Sequence, residues 1–365
     1  MPSSSSIPVQ RKSRQSELHS NIMKVLVTGS GGYLGSLLAP VLLERGHEVT
    51  GVDTGYFNSG YLYNAKVNTP VTLAKDIRYV TSDDLRGHDA IVHMAELSND
   101  PLGELDPNVT YEINHKGTLH LAQAAKSARV KRFIYMSSCS VYGVATDGEV
   151  AEETRPNPQT AYAICKTLCE RDLKQLADKN FVPCYFRNAT AFGASPRQRF
   201  DLMLNNLCGL AWTTKEIKMI SDGTPWRPLV HGLDIAQAIV CALGAPADAI
   251  YNETFNVGGN GRNYRVKEIA DKVAKVFPGC RLTFGSQGSD NRSYRVNFDK
   301  ISKHLPEFQC EWDADKGVEQ FYELFRQIDF TPETFEYRAF TRLKQLQYLI
   351  RTGQIDQRFF WKTTF

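Results

Sequence analysis

The stretch Ile22-Met23-Lys24-Val25-Leu26-Val27-Thr28-Gly29-Ser30-Gly31-Gly32-Tyr33-Leu34-Gly35 reads as a strand running into a glycine loop. Its first half is apolar and β-branched, the composition of a buried strand. Gly29, Gly32 and Gly35 then recur at three-residue spacing, and residues 36–45 continue with helical period. The first glycine permits a tight turn, and the second lets backbone approach a pyrophosphate. The third lets the helix pack closely on the strand. The helix N-terminus, with its unpaired N–H groups, faces the phosphates. Gly46 ends the helix, and residues 47–53 form a second strand closing on Asp53. A carboxylate about twenty residues past the loop accepts bonds from adenine-ribose hydroxyls and repels a 2′-phosphate. The pattern predicts a dinucleotide site that prefers NAD.

Outward from this unit, strand and helix patterns alternate. Residues 56–72 read as a polar, aromatic loop, 89–95 as a buried strand and 111–128 as a helix. Residues 130–136 are a strand, 160–176 a helix and 181–187 a strand. Such alternation predicts a Rossmann-type, doubly wound parallel sheet in an α/β fold. Past Arg187 the elements shorten. Helices are expected at 200–212, 234–243 and 266–276, and strands at 217–221 and 253–257. The expected organisation is a disordered tail over 1–20, a dinucleotide-binding domain over 21–187, a smaller α/β substrate lobe over 188–330 and a C-terminal helical extension over 331–365.

Composition narrows the function class. The 365 residues are 42% apolar and 23% charged, with a net charge of +3. That balance implies a full core and no nucleic-acid or anionic-membrane partner. No apolar run is long enough to span a bilayer, and residues 1–20 lack the apolar stretch of a secretory signal. The eight cysteines form no Cys-x-x-Cys pair and no zinc-spaced cluster. They read as reduced thiols of a cytoplasmic protein without a metal centre.

A second constellation carries chemistry. The strand ending Met136-Ser137-Ser138 precedes a helix bearing Tyr162 and Lys166. Spacing of i, i+4 puts both side chains on one helical face. An ammonium beside a phenol favours the phenolate, which can then move a proton. Ser138 can hold the reacting oxygen, completing a proton-transfer triad. Arginines at 197, 199, 227, 292 and 295 lie in turn-rich loops and could grip a diphosphate.

Taken together these pieces resemble the extended short-chain dehydrogenase/reductases of the nucleotide-sugar epimerase/dehydratase family. The resemblance rests on Thr28-Gly-Ser-Gly-Gly-Tyr-Leu-Gly35, Asp53, Asp76-Ile-Arg78, His93-Met-Ala95, Asn114-His-Lys-Gly-Thr118, Ser137-Ser-Cys-Ser-Val-Tyr-Gly143, Tyr162-x-x-x-Lys166 and Trp226–Asp234. It implies that Gly29, Gly32 and Gly35, with Tyr33 and Leu34, hold the NAD pyrophosphate. Asp53 would take the adenosine ribose, Asp76 and Ile77 would flank the adenine, and Ala95 and Asn114 would also serve the cofactor. Tyr162 would be the base, Ser138 its partner, and Lys166 a contact to the nicotinamide ribose. Arg227, Asn206 and Arg292 would reach the substrate, a nucleotide-diphosphate sugar. The resemblance also implies a homodimer, formed through the helices at 111–128 and 160–176.

Departures from the pattern separate reactions. The family's 4,6-dehydratases carry Asp-Glu directly after the catalytic hydroxyl residue, where this chain has Cys139 and Ser140. The glutamate common in its decarboxylases is missing from the same loop. Thr190 replaces an asparagine, and Gln287 replaces an arginine. The expected activity is NAD-dependent epimerisation through a 4-keto sugar, most simply at C4. A 4-ketoreductase using the same residues is the alternative, ahead of a 4,6-dehydratase or a non-catalytic dinucleotide sensor.

Overall fold

A computed structural model describes residues 22–65, 67–144, 148–219, 221–285 and 293–362. Seven strands form the central sheet: β1 (Lys24–Thr28), β2 (Glu48–Asp53), β3 (Val71–Ala74), β4 (Ala90–His93), β5 (Arg132–Ser138), β6 (Val182–Asn188) and β7 (Thr254–Val257). Their order is β7-β6-β5-β4-β1-β2-β3, and every pairing is parallel. The order reverses between β1 and β4. The crevice at the carboxyl ends of those two strands is where such sheets bind ligands. Because helices cover both faces, the central strands are apolar throughout rather than alternating. All four residues of β4 are buried, as are the first six of β6.

Helix α1 (Gly35–Glu44) follows the glycine loop, and α2 (Ala161–Leu176) carries the Tyr-Lys pair. Thr160 caps α2, its hydroxyl accepting from the Ala163 N–H at 3.2 Å. Residues Ala161, Cys165, Cys169 and Leu173 recur at four-residue spacing and are buried, so that face is clamped to the sheet. Each such apolar side chain stabilises the packing by roughly 1–3 kcal/mol.

Three elements differ from the sequence reading. Residues 71–74 form edge strand β3 instead of loop, although three of the four are exposed. An edge strand wet on both faces has no apolar alternation to betray it. The segment expected as one α-helix at 111–128 is a π-helix over Tyr111–Gly117 followed by an α-helix over Thr118–Ser127. There the Asn114 carbonyl accepts from Thr118 Oγ1 at 2.6 Å and from Cys169 Sγ at 3.2 Å. Side chains thus take up bonding the α-helical ladder gives up, and π-turns of this kind cluster at functional sites. Finally, β7 completes the central sheet from within the 188–330 span. That span therefore contributes to both lobes, and Phe255 of β7 is fully buried in the sheet's core.

The smaller lobe is built on Trp226–His231, which pairs in parallel with Thr190–Phe192 and antiparallel with Asn263–Arg265. Its core is aromatic. Phe200 packs on Phe330, Phe335 and Phe340 at centroid distances of 5.3, 5.2 and 5.9 Å. The C-terminal extension is therefore part of this core. It also reaches back to the larger lobe, where Leu346, Leu349 and Phe359 bury against Tyr56, Ile77 and Ile113 in the loops and helix beside the sheet.

Candidate functional site

One cavity of about 480 Å³ lies at the carboxyl ends of β1 and β4 and continues into the smaller lobe. The glycine loop forms its floor. Gly29 has φ +72°, a left-handed conformation that glycine adopts without strain. A Cβ on Gly35 would stand 2.2 Å from the Gly29 carbonyl oxygen and 2.6 Å from Ser30 Cα. The close approach is thus helix to loop, and both obstacles are backbone that cannot rotate away. Gly35→Ala is expected to destabilise the protein by about 1–3 kcal/mol and to strip bound NAD. A thermal melt with absorbance of the released cofactor checks this; a variant that melts and loads like the parent would show the loop to be adaptable.

The N-terminus of α1 has no side-chain cap. The Ser36 and Leu37 N–H groups bond the Gly32 and Leu34 carbonyls at 3.0 and 3.1 Å, which leaves those of Tyr33, Leu34 and Gly35 for an anion. Asp53 borders the same space, with its carboxylate accepting from the Gly31 N–H at 3.0 Å and the Gly55 N–H at 2.7 Å. Burial pushes Asp53 above the usual carboxylate range, and these two N–H groups oppose the shift. Gly29, Gly32, Tyr33, Leu34, Asp76, Ile77 and Ala95 also line the cavity. Asp76 is held by Arg78 through two bonds, at 3.0 and 2.7 Å. Uncapped helix N-terminus, glycine cradle and ribose-reaching carboxylate together fit a dinucleotide such as NAD.

Asn114 acts at one remove. Its side chain accepts from the Leu97 N–H at 2.8 Å and donates to the Leu97 carbonyl at 3.0 Å, holding the loop that lines the cavity. Asn206 does not reach the cavity. It lies on the helix Met203–Thr213 and donates to the Phe200 carbonyl at 2.9 Å. Its neighbour Asn205 is the inward one, accepting from the Gly193 N–H at 3.0 Å. One residue of helix turns a side chain by about 100°, so Asn205 is buried and Asn206 partly exposed, and neither lines the cavity. Of the arginines, Arg199 and Arg227 line the cavity. Arg197 instead donates to the carbonyls of Phe57, Asn58 and Gly60 at 3.1, 2.9 and 3.0 Å. Arg295 is exposed on a short strand beside Trp226. Arg292 and Gln287 lie outside the described residues, as does the 1–20 tail.

Ser138, Tyr162 and Lys166 meet in the middle of the cavity. Ser138 stands beside the Tyr162 phenol and favours its phenolate, and Lys166 Nζ stands 5.4 Å from the centroid of the Tyr162 ring. The electrostatics differ from the simple expectation. Burial raises the Tyr162 phenol above its ordinary value; Lys166 and Ser138 pull it down, and Glu96 adds to the rise. Glu96 follows directly on the expected strand end at 93–95 and received no role from the sequence. Its Oε2 lies 2.5 Å from Lys166 Nζ, and its Oε1 accepts from the Tyr135 hydroxyl at 2.8 Å. Lys166 also donates to the Met136 carbonyl. Burial alone would pull Lys166 down, but Glu96 and Tyr162 hold it above the ordinary lysine value. The sequence signal was there: an acid between Ala95 and Leu97, in an apolar strand exit, must be paired to be buried.

The loop after Ser138 is also resolved. Cys139 turns into the core, where Sγ donates to the Arg187 carbonyl at 3.2 Å and burial pushes its thiol well up. Ser140 faces the cavity, and its hydroxyl makes no hydrogen bond among the described residues. Of the two positions, only 140 can reach a substrate, and it carries no ionisable group.

Comparisons with known proteins match this geometry. A UDP-glucose 4-epimerase of Bacillus subtilis (strain 168) is 27% identical over 326 residues, covering 82% of this chain and 94% of the relative. A UDP-N-acetyl-alpha-D-glucosaminuronate decarboxylase of Bacillus cytotoxicus is 25% identical over 333 residues, covering 84% and 98%. The solved structure of MoeE5 in complex with UDP-glucuronic acid and NAD shares the fold, with a TM-score of 0.72 at 24% identity over 83% of this chain and 99% of that one. The family model matched by residues 25–258 spans the glycine loop, the triad and β7. With the dinucleotide cradle and the Ser-Tyr-Lys cluster in one cavity, the chain belongs to the NAD dependent epimerase/dehydratase family.

Proposed function

We propose that this protein is an NAD-dependent epimerase of a nucleotide-diphosphate sugar, working through a transient 4-keto sugar and acting at C4. The observation that carries the reading is the single cavity that joins the cradle, Ser138, Tyr162 and Lys166 to Arg227, with an uncharged Ser140 beside the reacting centre. Tyr162 takes the proton of the sugar 4-hydroxyl, and Ser138 holds that oxygen. Lys166, kept protonated by Glu96, supports the phenolate. NAD, when bound beside the triad, would supply the acceptor for the C4 hydride and the source of its return. Arg227 holds the diphosphate while the keto sugar turns within the cavity and presents its other face. Elimination of water or carbon dioxide calls for an additional acid or base at the reacting carbon, and position 140 does not provide one.

The same reading includes a homodimer in the cytoplasm. The paired helices at 111–127 and 161–176 leave Tyr111, Leu119, Ile164 and Leu168 partly exposed on one side of the central sheet. That is a face a second copy could cover.

Denaturing the purified protein should release NAD. Incubation with UDP-hexoses should then give the 4-epimer with no change of mass and no added cofactor. A product carrying two additional hydrogens, made only with added NADH or NADPH, would make the protein a ketoreductase. Loss of water would make it a dehydratase and would return the Cys139–Ser140 loop to the reaction.

A further inference from the structure

The C-terminal extension borders the cofactor end of the cavity. The helix Arg342–Arg351 begins there, and the guanidinium of Arg342 lines the space shared by Tyr33, Leu34, Asp53 and Arg199. Arg342 is 4% exposed. Its Nη1 donates to the Ala339 carbonyl at 3.0 Å and its Nη2 to the Arg197 carbonyl at 3.1 Å. Its guanidinium carbon stands 4.2 Å over the Phe57 ring. Among the described residues it forms no salt bridge. Burial, and then the charge of Arg199, depress it to about 9, far below an ordinary arginine, against the opposing pull of Asp201 and Asp53.

A buried cation held by carbonyls, beside Arg199 and only partly offset by the Asp201 and Asp53 carboxylates, is costly to fold. It becomes favourable when an anion enters the cavity it lines. The position of that anion follows from the neighbours. Asp53 at one end repels negative charge and suits ribose hydroxyls. The triad at the other end suits the sugar and the nicotinamide. Between them, the uncapped N-terminus of α1 and Arg199, which is paired with Asp201, face the same space as Arg342. The extension is anchored to both loops that border the adenosine end. Trp361 Nε1 donates to the Thr54 carbonyl at 2.7 Å, Gln345 Nε2 donates to the Tyr56 carbonyl at 2.9 Å, and Arg78 stacks 3.7 Å over the Phe360 ring.

We propose that Arg342 is a ligand of the cofactor's diphosphate, so that the C-terminal extension is part of the NAD site. The inference rests on the NAD reading above. It makes retention of the cofactor depend on a segment outside the matched span 25–258.

The test compares wild type with Arg342→Gln, Arg342→Lys and Lys344→Gln, the last an exposed position on the same helix paired with Glu336. NAD carried through gel filtration, the NAD dissociation constant by titration, and the melting temperature of the NAD-free protein are measured for each. Loss of a charge-assisted bond to phosphate is expected to weaken NAD binding by roughly 10- to 100-fold in Arg342→Gln. Arg342→Lys should recover part of that loss, and Lys344→Gln should match wild type. The NAD-free melting temperature of Arg342→Gln should not fall, because an uncompensated buried charge has been removed. An unchanged NAD affinity in Arg342→Gln would overturn the proposal, as would a lower affinity matched by a lower NAD-free melting temperature. A wild-type protein that binds no NAD would overturn the cofactor reading itself.

Discussion

Tyr162→Phe is expected to lower kcat for nucleotide-sugar epimerisation by about 100- to 10,000-fold, the range for losing a positioned general base. NAD content and melting temperature should stay close to those of the parent. The phenylalanine ring fills the same space on α2, and only the hydroxyl beside Ser138 is lost. Losing one polar contact of that kind costs about 1 kcal/mol. Lys166 is a poorer probe of the same chemistry, because removing it strands the Glu96 carboxylate in the interior and unfolding confounds the rate. Rates measured on NAD-loaded protein with the best UDP-hexose decide the matter. Activity within tenfold of the parent would move the proton-transfer role away from Tyr162.

The architecture was legible where local pattern and buried core coincide. The strand-glycine-helix unit, the Tyr-Lys spacing on α2 and the strands at 130–136 and 181–187 carry their own signals, since parallel strands covered on both faces are continuously apolar. Edge strand β3 carries none. The position of β7 in the central sheet was not legible either, because it is a long-range pairing with Tyr185–Asn188 that no local pattern encodes. The cavity was legible at its motif positions and opaque between them. Asn206 was placed by analogy, yet it bonds the Phe200 carbonyl outside the cavity lining, while Asn205 is buried against backbone. Glu96 was legible as a buried acid that needs a partner, but not which one: Lys166 lies about 70 residues further on. The place of Arg342, beyond the matched span, was set only by folding.

The Glu96–Lys166 pair makes two separable predictions. Glu96→Ala leaves the Lys166 ammonium in the interior, with the Met136 carbonyl and the Tyr135 ring as its near partners. Breaking a buried pair by removing one member costs about 3–5 kcal/mol, so a lower melting temperature and poor yield are expected. Glu96→Gln keeps the shape and a carbonyl acceptor while removing the charge, and so isolates the electrostatic role. The groups acting on the Tyr162 phenol are Lys166 and Ser138, which lower its pKa, and Glu96 and Asp100, which raise it, all set against a burial that raises it most. Taking away the Glu96 charge removes one raising influence and leaves the ammonium uncancelled. The phenolate then forms at lower pH, and the limb of log kcat/KM that climbs with pH should move toward acid. Lys166 itself is the counterweight, because Glu96 also holds its proton on. Were the lysine to lose that proton in Glu96→Gln, its attraction for the phenolate would vanish and the limb would move toward base. A shift in that direction, or none at all, would mean that Glu96 serves to keep Lys166 charged and does not otherwise tune the base. The pH profiles of parent and Glu96→Gln, measured with bound NAD at saturation, separate the two roles. They also bear on why this chain buries an acid against the lysine of its triad: the carboxylate holds the ammonium in place and charged, and the ammonium in turn favours the phenolate that takes the sugar proton.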